Sequence, residues 1–66
     1  MLELLIQARK AAGITQTELG RLIGRRQTVI SKIELGERRL DAAEFVDISR
    51  AIGVDPYRLM RQAERK

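Results

Sequence analysis

Glycines at positions 13, 24, 36 and 53 each stand just past a short stretch in which apolar side chains recur every third or fourth place. That rhythm is helical, and a glycine beyond the last periodic residue occupies the usual helix-ending position. Leu2, Leu5, Ile6, Arg9 and Ala12 share one side of the first stretch, and Leu19, Leu22 and Ile23 share one side of the second. The third runs from Gln27 to Leu35 with Ile30 and Ile33 on one face, and the fourth turns Phe45, Ile48 and Ile52 inward. The starts are marked as well. Thr15-Gln16-Thr17-Glu18 and Asp41-Ala42-Ala43-Glu44 both have the spacing of a capping box, in which the first side chain accepts from the fourth residue's amide and the glutamate reaches back. Asp55-Pro56 is a cap followed by proline at the first helical position, which opens a fifth helix holding Leu59. No stretch alternates with period two. The pattern predicts an all-α chain, a compact bundle of five short helices.

Sixty-six residues suffice for one domain, residues 1–66, with a core of about a dozen apolar side chains at most. There is no cysteine to form a disulfide or a thiolate metal site, which fits a reducing cytoplasm. There is no histidine, the commonest general base and metal ligand. With the carboxylates committed to caps and ion pairs, no nucleophile–base pair can be assembled, so neither an enzyme nor a cofactor is expected. No apolar run approaches the roughly 20 residues of a membrane span. The start, MLELLIQARK, has its acid before its bases and no small-residue cleavage site, unlike a signal peptide. The net charge of +4 favours a polyanionic partner, weakly on its own. Arg61 to Lys66 read as a charged tail.

The informative segment is residues 16–35, QTELGRLIGRRQTVISKIEL. Two short helices crossing steeply need a small apolar wedge, a close approach and a tight turn. Leu19 and Ile23 face Ile30 and Ile33 to make the wedge, Gly20 sits where the helices pass closest, and Gly24 supplies the turn, where positive φ is needed.

The stretches ARKAAGITQTELG, QTVISKIELGERR and AIGVDPYRL, with the turn at Gly24, resemble the helix-turn-helix domains of the phage repressor and Cro type, the XRE-like regulators. The similarity covers nearly the whole chain and implies a lambda-repressor-like fold. Two departures stand out. Arg25 replaces the apolar residue usual in the turn, and Arg26 replaces the usual small capping residue, leaving the third helix uncapped or capped by DNA phosphate. Leu40, where the family often has proline, is a mild change.

The resemblance implies that the third helix lies in the major groove of double-stranded DNA, with its N-terminal residues at the base edges. That nominates Gln27, Thr28, Ser31 and Lys32 for base contact. Their chemistry suits that role. A glutamine amide pairs with adenine N6 and N7, lysine donates to guanine O6 and N7, and threonine touches a thymine methyl. The bland reading is the polar side of any amphipathic helix. Gln16 resembles the family's phosphate-contacting glutamine, and Arg25, Arg26, Arg38 and Arg39 are expected to neutralise phosphates beside the groove. Between residues 21 and 39 stand six basic residues, opposed by Glu34 and Glu37 alone. Arg9 and Glu34 match a pair that the family holds as a partly buried structural ion pair. Phe45 is read as core. Tyr57, Leu59 and Met60 either pack inside or form a dimer face, and the spacing does not separate the two.

Together these features predict a DNA-binding transcription regulator without an effector domain, binding a palindromic operator as a homodimer through Val54, Tyr57 and Met60. It is expected in the cytoplasm, bacterial or phage-encoded. The alternative is an antitoxin-like or adaptor protein that binds a partner protein and uses DNA binding for autoregulation.

Overall fold

The computed structural model describes residues 2–64. Its elements follow the punctuation closely: α1 (Leu2–Ala11), α2 (Gln16–Ile23), α3 (Gln27–Glu34), α4 (Ala42–Ile52) and α5 (Pro56–Glu64), with no strand among the described residues. At the start of α2, Thr15 Oγ1 accepts from the Glu18 amide at 3.1 Å, but the Glu18 carboxylate does not reach back, so only half of the expected box forms. At α4 the box is complete, with Asp41 Oδ1 accepting from the Glu44 amide at 2.7 Å and Glu44 Oε1 accepting from the Asp41 amide at 3.3 Å. Asp55 Oδ1 accepts from the Tyr57 amide at 2.9 Å, beside Pro56 at the first position of α5. Arg26 precedes α3 with no side-chain cap, as its chemistry dictates. Helix α5 continues to Glu64, past Arg61 where the charge pattern suggests a tail, and Arg65 and Lys66 lie outside the described residues.

Leu5, Leu19, Ile30, Phe45, Ile48, Ile52 and Leu59 form one buried cluster, so every helix contributes at least one side chain to it. Helix α2 packs on α3 and α4, while α1 packs on α4 and α5. Phe45 is core, as its spacing predicts. Two side chains depart from the spacing. Leu22 is 56% exposed, because the buried face of α2 is centred on Leu19 and Gly20 and turns Leu22 to its rim. Ala12 lies exposed beyond the end of α1, and Ile14 packs against the core instead. Ser49, wholly buried, donates to the Phe45 carbonyl at 2.7 Å, so its hydroxyl is not left without a partner.

The geometry of the α2–α3 unit depends on Gly20 and Gly24. Gly24 closes α2 with φ +73°, in the left-handed region that costs a glycine little. The chain then folds back tightly enough for the Arg25 amide to donate to the Gly20 carbonyl at 2.7 Å. A Cβ on Gly20 would stand 2.6 Å from the Arg25 carbonyl oxygen and 3.4 Å from the start of α3 at Gln27. The close approach is therefore between α2 and the backbone that leads into α3, which no rotamer change can relieve.

Gly20→Ala is accordingly expected to destabilise the chain by about 1–3 kcal/mol, the usual cost of overpacking. In a domain this small that lowers the melting temperature by about 4–8 °C per kcal/mol. Thermal unfolding followed by circular dichroism checks this, and an unchanged midpoint would mean that the turn yields freely.

Candidate nucleic-acid interface

Helix α3 has two unlike sides. Ile30 and Ile33 are buried beneath it, while Gln27, Thr28 and Lys32 are exposed and Ser31 is half-buried on the opposite side. Positions four apart lie on one helix face, so Gln27 stacks over Ser31 and Thr28 over Lys32, two side chains wide and two turns long. All four nominated base-contact residues thus share one surface. The exposed Leu35 follows them, an apolar side chain whose spacing marks only a helix end.

Beneath this surface runs a chain of polar contacts that fixes its N-terminal end. Arg9, on α1, donates from Nε to Glu34 Oε2 at 2.7 Å, from Nη2 to Glu34 Oε1 at 3.0 Å, and from Nη1 to the Ile14 carbonyl at 2.7 Å. Both charged side chains are largely withdrawn from water. The pair expected from the resemblance is therefore present and two-pronged, the geometry in which guanidinium and carboxylate interact most strongly. Glu34 Oε1 also accepts from Gln16 Nε2 at 2.9 Å, and Gln16 Oε1 accepts from Gln27 Nε2 at 2.9 Å.

That order has a chemical consequence. An ionised carboxylate only accepts, so Glu34 compels Gln16 to present its NH2 group inward and its oxygen outward. The oxygen in turn compels Gln27 to turn its own NH2 group toward Gln16. Since that group carries two hydrogens, Gln27 keeps one N–H and its carbonyl oxygen for a further partner. Gln16, nominated for phosphate, is thus half-buried and serves first as a bridge, with its second N–H left for another acceptor.

The four nominated arginines fall into two groups. Arg26 and Arg39 are exposed and form no ion pair among the described residues. Arg38 donates from Nη1 to Glu44 Oε1 at 2.9 Å, and Arg25 Nη2 lies 3.7 Å from Glu44 Oε2. From the sequence, Glu44 is only the closing residue of a capping box. Its second role depends on a contact with the loop that precedes α4 and on another with the distant α2–α3 turn, neither of which leaves a periodic trace. Of the residues nominated for a dimer face, Tyr57 is 74% exposed and Met60 is exposed, while Val54 is half-buried against the core. Leu59 is buried, which assigns it to the core. No helix among the described residues is long and apolar enough to cross a membrane.

Comparison with known proteins agrees with the five-helix fold. A family model described as helix-turn-helix matches residues 5–59. Among solved structures, an XRE-family like protein from Pseudomonas syringae pv. tomato str. DC3000 superimposes with a TM-score of 0.92. It shares 56% sequence identity over 96% of this chain and 77% of its own. No curated protein matches the chain.

The polar chain makes Arg9 and Glu34 interdependent. Arg9→Met strands a buried carboxylate, and Glu34→Leu strands a buried guanidinium, so each is expected to cost about 3–5 kcal/mol. The double substitution removes both charges together and is expected to be more stable than either single one. Denaturant unfolding of the three variants tests the coupling, and additive losses would show that the two charges act independently.

Proposed function

The chain belongs to the XRE-type helix-turn-helix family, whose members are DNA-binding transcription regulators, and from that membership we propose that it binds a palindromic operator as a homodimer with α3 in the major groove. The observation that carries the reading is the orientation of Gln27. It is exposed at the first position of α3, with its amide turned by Gln16 so that a carbonyl oxygen and an N–H remain for a base. An acceptor beside a donor is what the N6 and N7 edge of adenine complements in the major groove. Lys32, one turn on, supplies donors suited to guanine, and the Thr28 methyl suits a thymine methyl. Arg26 and Arg39, without carboxylate partners among the described residues, neutralise backbone phosphates on either side, and the amides at the start of α2 beside Gln16 add a further anion contact. The protein acts in the cytoplasm, where its DNA lies.

Pairing follows from the size of the footprint. One recognition helix covers about four base pairs, too few to select a site among about a million competitors. Two-fold pairing doubles the footprint and sets two α3 helices about 34 Å apart on one face of the duplex. The α5 surface suits that geometry. Tyr57 and Met60 are its apolar centre, and Asp55, Arg58, Arg61 and Glu64 around them carry both signs of charge. A two-fold copy therefore sets acid against base. Three side chains, one of them Val54, fall well short of the roughly 1,000 Å² of a stable interface, so the dimer assembles on DNA rather than before it.

Gln27→Ala and Lys32→Ala are expected to reduce preference for the operator more than affinity for DNA in general, by about 1–3 kcal/mol of discrimination each. The operator is obtained by selecting bound duplexes from a random pool. Unchanged preference between operator and scrambled DNA in both variants sinks the assignment of α3. Arg39→Ala is expected to weaken binding to all duplexes alike and to lower the salt slope by about one unit. Protection mapping and sedimentation on the selected duplex should give two half-sites about one helical turn apart and two chains per duplex. One protected half-site holding one chain at saturation rules out the dimer.

A further inference from the structure

Glu44 is the buried acid that base readout leaves unused. The residue is 4% exposed, yet groups from three parts of the chain converge on its carboxylate. The Asp41 amide donates to Oε1 at 3.3 Å, within the helix start. Arg38, from the loop after α3, donates to Oε1 at 2.9 Å, and the same nitrogen stands 2.8 Å from Oε2. Arg25, from the turn before α3, approaches Oε2 to 3.7 Å. Oε2 is buried and accepts no well-formed hydrogen bond among the described residues, so its partners are the two guanidinium charges beside it. A carboxylate buried this deeply would be costly alone, and the two arginines are the cations that offset its charge.

The two guanidiniums are not consumed by this contact. Their side chains are 49% and 37% exposed, and each guanidinium carries five N–H donors in a planar fork. They come from the segments that precede and follow α3, so one buried anion grips both flanks of the recognition helix. We propose that Glu44 is a positioning residue for DNA: it holds Arg25 and Arg38 in a fixed posture from which their outer N–H groups meet backbone phosphates on either side of the major groove. Order imposed before binding need not be imposed during it, which strengthens a contact without adding one. The inference rests on the reading of duplex DNA as the ligand.

The sign of one measurement separates this role from plain charge. Glu44→Gln keeps the shape and the Oε1 acceptor for the Asp41 amide but removes a negative charge. Glu37→Gln removes the same charge from an exposed position in the loop that carries Arg38. If charge alone matters, both variants bind the selected operator duplex more tightly than the parent. If Glu44 positions the arginines, Glu44→Gln binds about threefold or more weakly while Glu37→Gln does not, and the loss vanishes when Arg25 and Arg38 are both already glutamine. Fluorescence anisotropy with the full chain, at matched salt and with the folded fraction fixed by circular dichroism, reads the result. Tighter binding by Glu44→Gln overturns the proposal. Should Glu44→Gln fail to fold, lysine replacements take its place. Arg38→Lys keeps the charge and loses the fork, so it weakens binding about threefold or more, whereas Arg50→Lys, the same exchange at an exposed position in the last turn of α4, does not. Equal losses from the two lysines overturn the proposal. Parent protein that binds no duplex at low salt overturns the DNA reading itself, a failure distinct from either of these.

Discussion

The guanidinium of Arg9 lies where water barely reaches, and its donors are satisfied there because Glu34 meets it with both oxygens and Ile14 with a carbonyl. Two ions held in this way are worth little as net stabilisation against an apolar pair of the same volume. Their value lies in direction. A hydrophobic contact between α1 and α3 would tolerate sliding and rotation, whereas a two-pronged bond fixes both. Since Glu34 also holds Gln16, and Gln16 holds Gln27, the orientation of a side chain on the surface is set by a charge beneath α3. The face proposed for base readout thus begins inside the protein.

This arrangement explains why so small a core is enough. The buried apolar cluster draws on every helix but has few members, and it supplies cohesion without much orientation. Caps and polar chains supply the orientation. Asp41 and Glu44 fix the entry to α4, Asp55 fixes the entry to α5, and the Gly20–Arg25 backbone bond fixes the corner between α2 and α3.

Local chemistry is the legible part of the sequence. The ends of the helices follow from glycine, proline and short polar side chains, whose effects reach only a few residues along the chain. Phe45 and the four wedge residues follow from periodicity for the same reason. Leu22 escapes it because spacing alone cannot tell the centre of an apolar face from its rim; the close approach at Gly20 decides that, and it is a tertiary fact. The Glu18 carboxylate does not complete its box although the Glu44 carboxylate completes the other, a difference that identical spacing does not reveal. The division of the arginines into held and free is hidden for a different reason. All four have the same side chain, and only the fold shows which of them stand near Glu44. Arg9 and Glu34, 25 residues apart, are reached through resemblance and not through any local pattern.

The corner at Gly20 has an implication for how such a chain can change. There the angle between the two helices is held by backbone against backbone, with a carbonyl standing where a side chain would otherwise intrude. Replacement of the outward-facing side chains of α3 therefore leaves the angle alone. The side chains of Thr28 and Lys32 point outward and form no hydrogen bond among the described residues, so they can be exchanged with little penalty in folding. The corner thus separates the posture of α3 from the identity of its outward side chains, and Gln27 alone of the proposed base-contact residues is tied by its side chain to the scaffold among the described residues.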